Sequence, residues 1–123
     1  MKKLFAMLCL LASFSACAWD QRQPQPLDSC KVHSLYGFPQ TAQKLQPICR
    51  EAYLVGYDAA AKLPNFVSYT LLPQNALGCF PRTNAFVADQ SIQGGAVPGD
   101  YAGTGYDKGH MAPDGDLSWS RSW

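Results

Sequence analysis

The stretch Tyr106-Asp107-Lys108-Gly109-His110-Met111-Ala112-Pro113 sets one of the chain's two histidines behind a glycine and close to both a lysine and an aspartate. Histidine suits proton transfer, because its unperturbed pKa lies near neutrality. Lys108 can supply the positive charge that stabilises an anionic transition state. Gly109 lets the backbone take a positive φ or come close to a phosphate. Asp107 can hold a neighbouring cation or backbone group in place. Read alone, such a tetrapeptide is more often a turn carrying a solvated histidine, so its surroundings must weigh in.

Upstream of it, Gly94 to Gly105 holds five glycines and Pro98, the composition of a long loop. Further back, Ala52 to Tyr57 alternates, with Tyr53, Val55 and Tyr57 on one face and Leu54 and Gly56 on the other. Phe66 to Leu72 is rich in aromatic and β-branched residues between Pro64 and Pro73. Both segments are predicted as strands that pair antiparallel. Ala59-Ala60-Ala61-Lys62 favours helix by propensity but is too short to hold one, so it reads as their connection. Phe86 and Val87 suggest a third strand. Residues 30–47, with Gly37-Phe38-Pro39 and Pro47, look loop-like. Residues 19–29 form a polar lead-in rich in Pro and Gln.

The N-terminus reads as a targeting segment. Lys2 and Lys3 precede an apolar run from Leu4 to Phe14, and Ala16-Cys17-Ala18 is a small-x-small cleavage site. The run is short for a transmembrane helix, which needs about 20 residues. The expectation is a signal peptide over 1–18 and a secreted or periplasmic product. Lipidation of Cys17 is the minor alternative. Cleavage would remove two lysines and no acid, taking the net charge from +1 to −1. A protein that coats nucleic acid by bulk charge is strongly basic, so that role is excluded, whereas local contact with phosphates is not. Cys30, Cys49 and Cys79 would remain in a compartment where disulfides persist. Cys49–Cys79 is the expected pair, since both lie in segments flanking the proposed sheet. No zinc spacing is present. His33 matches no motif and reads as a loop residue.

Several segments in order resemble the DNA/RNA non-specific endonucleases, the ββα-metal nucleases of the Serratia nuclease and endonuclease G type. Ala52-Tyr53-Leu54 followed by Lys62-Leu63-Pro64-Asn65-Phe66-Val67-Ser68-Tyr69 resembles that family's first hairpin. Arg82-Thr83-Asn84-Ala85-Phe86-Val87-Ala88-Asp89 resembles its Arg-x-x-x-aromatic-x-x-Asp segment. Asp100-Tyr101 and the Asp107–His110 motif then follow in family order. The resemblance implies an α+β fold with an antiparallel sheet core over residues 30–123, a partial endonuclease domain. It implies His110 as the general base and Arg82 as a cation on the phosphate. Lys108 stands where the signature has arginine, keeping the charge but losing the bidentate fork. Asp107 and Gly109 shape the motif.

The family's magnesium ligand is an asparagine on a later helix, a position the sequence does not contain before Trp123. The resemblance therefore implies a Mg-dependent hydrolase of DNA and RNA whose metal-binding C-terminal helix is missing here, weakly active or inactive in this form. Asp114 and Asp116 are weak substitutes as ligands, because Asp-Gly is ordinary turn chemistry. Two other readings stand beside this one. The first is a small secreted, disulfide-stabilised binding domain without catalysis. The second is a degenerate relative that still binds nucleic acid.

Overall fold

The computed structural model describes residues 24–83 and 86–120. The expected signal peptide over 1–18 lies outside them. Three strands form one antiparallel sheet in the order β1 (Gln46–Cys49), β2 (Leu54–Asp58), β3 (Leu63–Ser68). A single helical turn, α1 (Asp114–Leu117), follows the His110 motif. Short 3-10 segments occupy Leu27–His33, Asn75–Leu77 and Pro98–Tyr101.

The predicted antiparallel pair is present, with the second strand earlier than expected. Leu54 faces Ser68, Val55 faces Val67 and Gly56 faces Phe66, and the register shifts at Gly56/Tyr57. Asp58 starts the connection: its Oδ1 accepts the amides of Ala60 and Ala61 at 2.9 and 3.0 Å. That bonding makes a tight turn, and it closes with Lys62 at φ 55°. The hairpin therefore begins at Leu63 rather than Phe66. Gly56 is required by its cross-strand partner, since a Cβ there would lie 2.2 Å from the Phe66 ring. The ring takes the space that a side chain would fill.

The third strand is not Phe86–Val87, which lies outside any strand; it is Gln46–Cys49. Pro47 pointed away from a strand in the sequence. It is tolerated because, among the described residues, β1 pairs with β2 alone and so forms an edge, where a missing N–H breaks no essential ladder bond.

The alternation read from the sequence sorts the two faces. Leu54 packs with Cys49 and Cys30 on one face. Ile48, Val55 and Tyr57 pack on the other, with Tyr53, Val67 and Ile92 against them. The first face is covered by the Leu27–His33 segment. The disulfide joins Cys30 to Cys49, with Cα atoms 5.8 Å apart, rather than Cys49 to Cys79. The 3-10 segment lays Cys30 directly on the end of β1, within bridging reach. Cys79 lies instead beside α1, its amide bonded to the Ser118 carbonyl at 2.8 Å.

His33 is not a loop residue. It ends the 3-10 segment, is buried, and fixes the covered face through both ring nitrogens. Nδ1 accepts the Thr70 amide at 3.2 Å, so Nε2 carries the proton and donates to the Glu51 carbonyl at 2.9 Å.

Candidate active site

The His110 motif is held from below. Ala112, two residues past His110, is buried with Ala52 and Leu117, and Tyr53, Val67, Tyr69 and Trp119 pack around them. One turn of helix has little stability of its own, and α1 is fixed by tertiary bonds. Tyr69 Oη donates to Asp116 Oδ2 at 2.7 Å. The bond to Asp116, with burial second, raises the Tyr69 pKa. The amides of Cys79 and Phe80 both donate to the Ser118 carbonyl at 2.8 Å. Ser120 Oγ donates to Glu51 Oε2 at 2.9 Å.

His110 itself is exposed. It borders a cleft of about 620 Å3 on the open face of the sheet, whose apolar walls include Val55, Val67, Phe86 and Leu117. An adjoining cleft of about 400 Å3 has Asp107 and Lys108 in its wall. Phe86, Val87, Gly109 and Met111 border both. The Phe86 ring lies 5.3 Å from the His110 ring, inclined by 52°. Lys108 Nζ stands 5.8 Å from the centre of the same Phe86 ring, within range of a cation–π contact. His110 and Lys108 thus meet through one aromatic side chain.

The other expected site residues are placed less closely. Pro81 and Thr83 border the His110 cleft, but Arg82 is in neither wall. Arg82 is exposed, and among the described residues it has no hydrogen-bond or ion-pair partner. Asp107 is exposed and likewise unpartnered among them. Gly109 does not use a positive φ, and a Cβ there would meet nothing within 4 Å.

Asp89, the acid that closes the Arg82–Asp89 segment, has a partner that no motif indicates, Arg50. Arg50 is buried in the turn between β1 and β2, with its side chain 2% exposed. Its Nη2 pairs with Asp89 Oδ2 and donates to Ser91 Oγ at 2.8 Å, and its Nη1 donates to the Cys49 carbonyl at 3.1 Å. Partial burial works against the charge on Asp89, but Ser91's hydroxyl and amide, with the Arg50 guanidinium, hold its carboxyl below the usual range. Nearby, burial first of all pushes the Tyr53 phenol up; Arg50 opposes that shift and Asp89 adds to it. The signal available in sequence was the acid closing the Arg82–Asp89 segment. Its partner, 39 residues away, was not legible.

Magnesium takes oxygen ligands and near-octahedral geometry. Among the described residues no group of three or more His, Cys, Asp or Glu converges to hold an ion. Asp116 is engaged by Tyr69. Asp114 Oδ1 is buried without a hydrogen-bond partner, but it stands without a ligand set around it. The described residues therefore do not fit a metal site by themselves.

An antiparallel sheet with a histidine, a lysine and an aromatic ring gathered over its open face defines an α+β protein with a surface site suited to an anionic substrate. The family model for DNA/RNA non-specific endonucleases matches residues 32–123. A protein named "Nuclease" from Nostoc sp. (strain PCC 7120) is 33% identical over 120 residues, covering 87% of this chain and 43% of the relative. The mitochondrial nuclease EXOG of Xenopus laevis is 32% identical over 109 residues, covering 83% and 30%. The human EXOG is 29% identical over 102 residues, covering 80% and 27%. No solved structure matches significantly. The chain belongs to the DNA/RNA non-specific endonuclease family, and its α+β architecture is ββα-metal nuclease-like. It spans less than half the length of these relatives.

Proposed function

We propose that the protein hydrolyses phosphodiester bonds of DNA and RNA without sequence preference, with His110 as general base. The meeting of His110 and Lys108 across Phe86, on an exposed rim, carries this reading. His110 would take a proton from water as the water oxygen bonds to phosphorus. The bond from phosphorus to the leaving sugar oxygen breaks, and that oxygen takes up a proton. Lys108 would sit near the negative charge that builds on the phosphate. Arg82 would add a second cation, swinging in from the segment that borders the cleft. Asp107 and Gly109 would set the approach of the backbone to the substrate. Family membership supports a divalent-metal requirement in general terms. We propose Mg as that metal, with its ligands supplied from outside the described residues, which hold no ligand set of their own. Export through the 1–18 segment to a secreted or periplasmic location belongs to the same proposal.

The test is cleavage of plasmid DNA and of RNA with Mg, using the longest natural form that carries these residues. Cleavage lost with EDTA and with His110→Ala supports the reading. Undiminished cleavage by His110→Ala removes His110 as the base. Absence of cleavage under any divalent metal favours a binding domain instead.

A further inference from the structure

We propose that Phe86 is a positioning residue for His110 and Lys108, and that the Arg50–Asp89 pair holds it in place; this rests on the reading of His110 as the base. His110 is exposed, and among the described residues no hydrogen bond reaches either ring nitrogen. A general base commonly gains its orientation from a third group bonded to its far nitrogen. Here the neighbouring ring does that work by contact. The Phe86–His110 separation of 5.3 Å, with the rings inclined by 52°, falls within the range of favourable aromatic pairs. The face of the same ring is 5.8 Å from Lys108 Nζ, so one side chain limits the freedom of both the base and the cation.

Phe86 in turn belongs to no helix or strand. Its described continuation is anchored at Asp89, three residues beyond Phe86, which is paired with buried Arg50 in the turn between β1 and β2; Arg50 also reaches Ser91. Loss of Asp89 would free this anchor while leaving the ring intact. Loss of the ring would leave the anchor tied.

The chain's two histidines make the test direct, since NMR of 13C-labelled histidine gives two sets of imidazole signals. His33, buried on the opposite face of the sheet, reports whether the fold is intact. The Phe86 ring current should displace the His110 signals. Phe86→Leu should move them toward free histidine, Phe86→Tyr should leave them displaced, and Asp89→Asn should move them part of the way. His33 should stay put throughout. In the cleavage assay, Phe86→Leu should lower kcat by about tenfold to a hundredfold, the range expected for a misplaced catalytic group. KM should change much less, and Phe86→Tyr should restore kcat.

His110 signals unmoved by Phe86→Leu, with His33 in place, would overturn the proposal. So would an unchanged kcat for Phe86→Leu while His110→Ala is inactive, and that result would leave the nuclease reading standing. Cleavage that survives His110→Ala removes the base and, with it, the positioning role. If Phe86→Leu collapses the His33 signals, Asp89→Asn carries the same test with the ring in place.

Discussion

One face of the three-stranded sheet is closed by covalent and buried polar links, and the other looks onto a cleft. On the closed face, Cys49 and Leu54 lie under the Leu27–His33 segment, with the Cys30–Cys49 bridge through it and the His33 imidazole bonded at both nitrogens. On the open face, Val55 and Val67 border the cleft whose rim carries His110. The closed face keeps its polar atoms saturated, which suits a structural role. Among the described residues, His110 on this rim and Asp107 in the wall of the adjoining cleft have no hydrogen-bond partner, which leaves both open to solvent. The open face is itself packed around Ile48, Val55 and Tyr57 and around Ala52, Ala112 and Leu117, so under the proposed function the chemistry sits on the exposed rim of a packed face, while the opposite face is sealed.

The division can be broken most directly at His110. General-base catalysis is worth about a hundredfold to ten-thousandfold, so His110→Ala should reduce cleavage by that order. Its effect on thermal unfolding should be negligible, since the side chain is exposed. A large drop in the melting temperature would show that the rim is also structural.

The converse change is on the closed face. Replacing Cys30 and Cys49 together by Ala removes a bridge spanning 19 residues. Urea unfolding should show a loss of about 3 kcal/mol, in line with loops of similar length. If stability is unchanged, the noncovalent contacts of the Leu27–His33 segment suffice to close this face.

Asp89 sharpens the comparison because it ties the two regions together. Asp89→Ala leaves Arg50 buried without its partner, and the loss should be about 2 kcal/mol. That figure is smaller than for a fully buried pair, because Asp89 is partly exposed. Its lowered pKa sets the sign of the pH dependence. The stabilisation is fully present above the unfolded carboxyl value of about 3.9, and it is lost as pH falls further, through the depressed folded value. The gap in stability between wild type and Asp89→Ala should therefore be constant near neutrality and shrink on acidification below that range. A gap that persists in strong acid would mean that packing, not charge, is what Asp89 contributes.

The smallest expected effect is at Gly109. Its φ is not positive and a Cβ would meet nothing, so Gly109→Ala should change stability by less than about 0.5 kcal/mol. If cleavage nevertheless falls, a close approach of the substrate to this backbone is the remaining reason for glycine.

Much of this organisation was legible in the sequence. The alternation of Tyr53, Val55 and Tyr57 against Leu54 and Gly56 is local, and period-2 patterning carries directly into the two faces. The antiparallel pairing followed from two adjacent strand-like runs with a short connection. The Asp107–His110 motif and its ordered companions were enough to indicate the family that the comparison confirms. What the local pattern could not supply was everything that depends on distant partners. Pro47 argued against a strand until the sheet made Gln46–Cys49 an edge. Cysteine spacing does not determine connectivity, and only the path of the Leu27–His33 segment brings Cys30 to Cys49. His33 looked like a solvated loop residue because its two partners, Glu51 and Thr70, come from elements far along the chain. Arg50 meets Asp89 across 39 residues for the same reason. Side-chain period and motif are properties of neighbouring residues. The disulfide, the pairing of buried Arg50 with the partly exposed Asp89 and the contact of Phe86 with His110 exist only once tertiary packing has closed those distances.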